Sequence, residues 1–355
     1  VKKNKIFFIL FALVLSFVPI QNSYSANVIK SGSVCKTKNQ NVVFQLNNFI
    51  CTKSGKKLVW KPVNLSNKTE TALFSAWSTN FNTDLMVKSA IKSTDKYFGK
   101  VTPDDSYEIY TDKEFPESNL AWILKMFNYT NGAFRNIENK KFKVFIGTNH
   151  EWSKQTLNSL NLWMGNPEEQ YPCSNGKNDA YCADKNLILL IFKNKGYYVS
   201  VGHLSLPAHE VFHTIQYSLL GYSIERFGPG HPQRVPRWFM EGSANYFGYY
   251  MVEKLGFDSY ENGRNDQVQF NSEYRNIKPL STYDNFESNP YGIGQAATEY
   301  IIASVGFESL LNIFKFTGTE GTFSAGFKKA TGIEIEDFYY KFEKSRNLMS
   351  IGSNL

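Results

Sequence analysis

Histidine and cysteine are scarce in this 355-residue chain, with five of the first and four of the second. Each scarcity narrows the chemistry. Cys35, Cys51, Cys173 and Cys182 match no zinc-finger or ribbon spacing, so thiolate zinc binding gains no support. Closeness in sequence pairs Cys35 with Cys51 and Cys173 with Cys182, each bond stapling a short loop in an oxidising compartment. No dense basic run with interleaved aromatics occurs, so no nucleic-acid partner is expected. Internal repeats and low-complexity tracts are absent. Beyond the N-terminus, no apolar run approaches the roughly 20 residues a bilayer span needs.

The N-terminus reads as an export signal. Lys2, Lys3 and Lys5 precede an apolar run from Ile6 to Ile20, and Ser23-Tyr24-Ser25 offers a small-x-small cleavage site. No cysteine lies near that site, which argues against a lipid anchor. Those three lysines supply part of the formal charge of +7 and leave +4 on the remainder. The expected organisation is a signal peptide at 1–25, a small cysteine-bearing module at 26–62, a polar linker at 63–70 and a main domain at 71–345. A secreted or envelope-associated protein follows, with no stable membrane span after cleavage.

What the chain does contain is His209-Glu210-Val211-Phe212-His213. Residues four apart on an α-helix stand about 40° apart around the axis and about 6 Å along it. Both imidazoles then project from one face and can meet a single Zn²⁺. Glu210 is not placed to ligate; it can instead take a proton from water at the metal. Ser205 and Pro207 suit the helix's first turn, Ala208, Phe212, Ile215 and Leu219 form its buried stripe, and Gly221 is a natural stop.

A third ligand stands downstream. Val235 to Tyr246 reads as a second helix with Pro236 in its first turn. Trp238, Glu241, Asn245 and Gly248 share a face, and Gly242 and Ala244 permit close approach of two helix backbones. Two histidines and a carboxylate, with a fourth position left for water, make the catalytic rather than the closed zinc pattern.

The motifs HEVFH and VPRWFMEGSANYFG resemble those of the gluzincin metallopeptidases, especially the subgroup reading Pro-x-Trp-x-x-Glu-Gly-x-Ala. The resemblance implies zinc ligands His209, His213 and Glu241, with Glu210 as general base. It spans roughly residues 70–345, through three short motifs. Two departures stand out. His213 and Glu241 are 28 positions apart (241 − 213), longer than in the thermolysin and aminopeptidase N groups, and a Gly- and Pro-rich insert from Tyr222 to Arg234 accounts for the excess. Asn245 occupies the position where gluzincins often hold a carboxylate that orients a histidine, so its amide oxygen is the expected substitute. A third match is Asn289-Pro290-Tyr291-Gly292-Ile293-Gly294, which opens an apolar helix. By the same resemblance Tyr291 donates its hydroxyl to the oxyanion, with Arg237, Tyr246 and His231 as competitors.

The implied fold is α+β. A zincin-like domain has a small mixed sheet packed on the HExxH helix, a mainly helical C-terminal lobe follows, and a disulfide-stapled module precedes it. The elements expected before the zinc helix are a helix over Phe74–Tyr97, a strand over Ser106–Tyr110, a helix over Asn119–Phe134, a strand over Lys141–Ile146, a further helix, and a strand over Asn186–Phe192. That last strand, or its neighbour, is the sheet edge the resemblance assigns to extended substrate. Calcium at Glu168, Glu169 and Asp179 is weaker than a solvated polar loop. The expected activity is zinc-dependent hydrolysis of peptide or protein substrates. The alternatives are a zinc hydrolase of an envelope amide and a catalytically silent zincin-fold binding or adhesion protein; an intact Glu210 argues against the second.

Overall fold

Three short strands form an antiparallel sheet in the N-terminal unit, Val1–Asn64: β1 (Asn41–Phe44), β2 (Asn47–Ser54) and β3 (Lys57–Pro62). Cys51 stands opposite Trp60, and with Cys35 and Phe49 they make the buried core among the unit's described residues. So small a core needs a covalent aid. The Cys35–Cys51 disulfide, closing 16 residues, supplies it, worth about 3 kcal/mol by loop entropy. The computed structural model describes residues 30–38, 41–44, 47–62, 74–137, 142–163, 170–174, 176, 178–193, 200–222, 227–228, 230–269, 278–284 and 289–349. The expected signal segment, the 63–70 linker, and Glu168 and Glu169 lie outside these residues.

The second unit, Leu65–Leu355, is α+β. Its elements run α1 (Thr83–Phe98), β4 (Glu108–Thr111), α2 (Glu117–Ala133), β5 (Lys143–Gly147), α3 (His150–Ser159), β6 (Ala180–Asp184), β7 (Leu187–Ile191), α4 (Val201–Leu220) and α5 (Arg237–Lys254). Then come α6 (Tyr260–Gln269), α7 (Tyr291–Val305), α8 (Phe307–Glu320), α9 (Phe323–Thr331) and α10 (Ile335–Met349). The sheet is mixed, in the order β4-β5-β7-β6, with β6 antiparallel to β7 and the others parallel. All five residues of β7 are buried because the sheet is covered on both faces. Ile188 and Leu190 pack with Ile123 and Phe127 of α2 and Val211 of α4, whereas Leu187, Leu189 and Ile191 pack with Leu157 of α3. Val211 thus seats the HExxH helix on the sheet. The other side of α4 joins a large helical core with α1, α5 and α7 to α10.

Several expectations need correction. β7 is interior, so it offers no free edge; its neighbour β6, not anticipated as a strand, is the edge beside α4. α1 begins at Thr83, not Phe74, because the Asn82 side chain caps it by accepting from the Leu85 amide. The aromatics ahead of it are anchors instead: Phe74, Trp77 and Phe81 all pack on Tyr300. α4 begins at Val201, and Pro207 lies inside it. Its cap is Ser200, whose hydroxyl accepts from the His203 amide at 3.3 Å and meets His203 Nδ1 at 2.9 Å. Gly221 does end the helix, at φ +82°, a conformation that glycine adopts without penalty. α10 carries the helical region on to Met349, beyond the expected end at 345. Cys173 and Cys182 are bonded as expected, with Asp179 between them accepting from the Tyr181 hydroxyl and the Lys193 amide. No helix among the described residues is long and apolar enough to cross a membrane.

Candidate metal centre

The position of Glu241 is set by how closely α5 packs on its neighbours. A Cβ on Gly248 would lie 3.0 Å from the Ser205 carbonyl oxygen and 3.5 Å from His209 Cβ, so only a small residue lets α5 lie this close to α4. On the α7 side, Gly242 meets Gly294. The close approach expected of Gly242 is therefore real, but its partner is α7 rather than α4. At the N-terminus of α5, Asp284 Oδ1 accepts from the Arg237 amide at 3.1 Å, satisfying a donor that the helix itself cannot.

These contacts bring His209, His213 and Glu241 together out of water. They are 6%, 7% and 4% exposed. The two Nε2 atoms are 3.0 Å apart, and Glu241 Oε2 lies 3.4 Å from that of His209 and 3.3 Å from that of His213. A tetrahedral ion with bonds of about 2.0–2.1 Å has ligand-to-ligand edges of roughly 3.3–3.4 Å. The observed triangle fits one face of such a tetrahedron. The three side chains are a buried group able to hold a metal ion.

Hydrogen bonding prepares the nitrogen lone pair. Gln216 Nε2 donates to the Met240 carbonyl and to Ser243 Oγ, both at 2.9 Å, while Ser243 Oγ itself donates to the Phe239 carbonyl. The amide is thereby oriented with Oε1 towards His213 Nδ1, 2.7 Å away. Nδ1 must carry the proton, which in the neutral ring leaves Nε2 as a bare acceptor facing Glu241. Gln216 was missed in the sequence, although its i+3 spacing from His213 on one helix is a readable signal. Asn245, the expected orienting residue, is buried but donates its amide to Gln267 Oε1 at 3.4 Å. Arg237 Nη1 lies 3.6 Å from Glu241 Oε1, so a cation one helical turn away faces the other carboxylate oxygen.

Charge and burial are in competition here. Burial pushes the Glu241 carboxyl up, but the His213 charge and hydrogen bonds from both histidines outweigh it and hold the group well below the usual carboxylate range. Burial lowers His213, yet the Glu241 and Glu210 charges and bonds to Glu241 and Gln216 raise it from 6.5 to about 9. Glu210 differs. It is 3% exposed, and its Oε2 has no hydrogen-bond partner among the described residues. Burial raises its pKa, with Glu241 adding to the effect and the two histidines opposing it. A buried carboxylate with an open oxygen beside a ligand set is the environment of a proton acceptor.

Tyr291 is the first residue of α7, and its ring centroid lies 6.4 Å from that of His209. Burial, together with Glu241 and Glu210, drives its phenol far above the usual range, so the hydroxyl keeps its proton as a donor. Two competitors lie elsewhere. Thr94 Oγ1 donates to the Ala90 carbonyl, so the Tyr246 hydroxyl, 2.6 Å from it, spends its own proton there. His231 is exposed and stacks on Phe227. The remaining histidines are occupied: His203 in the α4 cap, and His150 between the Asn178 carbonyl and Ser174 Oγ. Comparison of the chain with protein-family models, curated proteins and solved structures gives no match.

Proposed function

We propose that this chain is a zinc-dependent hydrolase of peptide bonds acting outside the cell. The observation that carries this reading is the buried convergence of His209, His213 and Glu241 beside Glu210, whose Oε2 has no hydrogen-bond partner among the described residues. Two imidazoles and a carboxylate at tetrahedral spacing suit zinc among the N- and O-ligated metals. An ion held there supplies Lewis acidity and lowers the pKa of water towards neutrality. The chain's own groups do the rest. Glu210 takes one proton from the attacking water and returns it to the departing nitrogen, so that hydroxyl adds to the carbonyl carbon as the C–N bond breaks. Tyr291 donates to the oxygen on which negative charge develops. Gln216 keeps the His213 ring in its ligating tautomer.

The peptide substrate class rests on the likeness of HEVFH and PRWFMEGSAN to gluzincin motifs. Two disulfides, and no spanning helix among the described residues, fit an extracellular setting. The test is mass-spectrometric readout of a peptide library incubated with the purified chain, before and after chelation and after zinc is restored. Cleavage that disappears and returns with zinc is expected. Cleavage indifferent to chelation, or none by the zinc-loaded chain, would overturn the proposal.

A further inference from the structure

Charge is segregated between the two units. Residues 1–64 hold ten of the 39 basic residues and none of the 32 acidic ones, which leaves 29 against 32 in residues 65–355. The whole positive excess belongs to the small unit. Seven of its lysines are described, Lys30, Lys36, Lys38, Lys53, Lys56, Lys57 and Lys61, and all seven are exposed. None meets a carboxylate among the described residues. An ordinary solvated surface intersperses both signs, because uniform charge repels itself. Among the described residues, a unit with four buried core residues carries that repulsion with no carboxylate against its lysines.

From this we propose that the N-terminal unit is a binding module for a linear phosphate polymer, tethering the chain to a polyanion. The strand register indicates a polymer rather than a bilayer. Side chains alternate across a sheet, so Lys57 and Lys61 of β3 stand on the face opposite Trp60, while Lys53 of β2 shares the Trp60 face. Lys56 sits in the hairpin turn between β2 and β3. A flexible chain can wrap such a belt of charge, whereas a flat membrane touches one face. The described apolar residues of the face bearing Lys57 and Lys61, Ile50 and Val59, are half-buried rather than exposed, so they offer little anchor to a bilayer. Val34 is the one described large hydrophobic residue of the unit that stands well exposed, at 69%, while Phe49 and Trp60 are buried. All seven cations are lysines, point charges without the planar fork of arginine, so recognition reads charge density rather than one bidentate geometry.

The proposal is independent of the hydrolase reading, and either can fail alone. The test is equilibrium binding of the full chain to fluorescent long-chain polyphosphate between about 50 and 300 mM salt. With about 0.7 counterions released per contact, log K should fall against log salt with a slope of roughly −3 to −5. Replacing Lys53, Lys56, Lys57 and Lys61 by Gln should weaken binding about 10²-fold at ~0.15 M salt and leave a slope near −2. The same four positions changed to Arg should keep binding within a few-fold, which separates lost charge from a damaged fold. A control replacing the exposed Lys92, Lys96, Lys113 and Lys315 of the second unit by Gln makes the same change in net charge and should leave binding nearly intact. Equal weakening by both Gln sets would overturn the proposal. So would binding confined to anionic phospholipid vesicles or to duplex DNA with polyphosphate left unbound.

Discussion

A Cβ placed on Gly242 would stand 2.0 Å from the carbonyl carbon of Gly294, so α5 and α7 meet backbone to backbone one residue beyond the Glu241 carboxylate. The contact sets two features of the site together, the ligand on α5 and Tyr291 at the start of α7. In an ordinary helix interior, Gly→Ala stabilises by about 0.5–1 kcal/mol. Here the added methyl meets backbone that no side-chain rotation can clear, and overpacking costs about 1–3 kcal/mol or more. Gly242→Ala should therefore destabilise the chain by about 3 kcal/mol in urea denaturation and weaken its metal binding. A stabilised variant would show that the helices do not touch at this point.

Gln216 allows a sharper separation of positioning from packing. Gln216→Leu keeps bulk and apolar contact but removes the acceptor on His213 Nδ1. Loss of such an orienting bond costs about 10- to 100-fold in metal affinity. Competition titration against a chromophoric chelator should show that loss with the helical circular dichroism unchanged. Wild-type affinity would release Gln216 from the role.

Much of this site was legible in the sequence, because helical spacing alone places His209 and His213 on one face and small residues flank Glu241. The rest was hidden for physical reasons. The resemblance points to Asn245 for the orienting contact, because the related motif places a carboxylate there, whereas Gln216 makes it from three residues after His213. The start of α4 was obscured because Ser200 pairs with His203 instead of the Glu or Gln of a usual capping box, and because Pro207 resembles a first-turn residue. Leu187–Ile191 carries five apolar residues in a row, a pattern of burial on both faces that already argued against an edge strand. β6 gave little signal, being a five-residue strand that contains the disulfide-bonded Cys182.

The raised pKa of His213 gives opposite pH trends to the metal-free and metal-bound chains. Its folded value of about 9 exceeds the usual 6.5, so its contribution to metal-free stability is complete below 6.5 and is lost as pH rises through about 9. Glu210, raised by burial, has the same sign: its contribution to metal-free stability falls as pH rises past the ordinary carboxylate value. Metal must displace the His213 proton, so affinity should climb about tenfold per pH unit below 9 and level off above it. Denaturation of the chelated chain and zinc titration across pH 6–10 check both trends. Parallel trends would contradict the His213–Glu241 pairing.

The central claim is that one buried metal and one buried base act together, and Glu210→Gln tests it with metal content and turnover measured on the same sample. The substitution keeps size and polarity but removes the proton acceptor. The expected result is one zinc per chain, as in the unaltered protein, with peptide hydrolysis reduced by at least about 10²-fold. Full zinc content with undiminished hydrolysis would contradict the account.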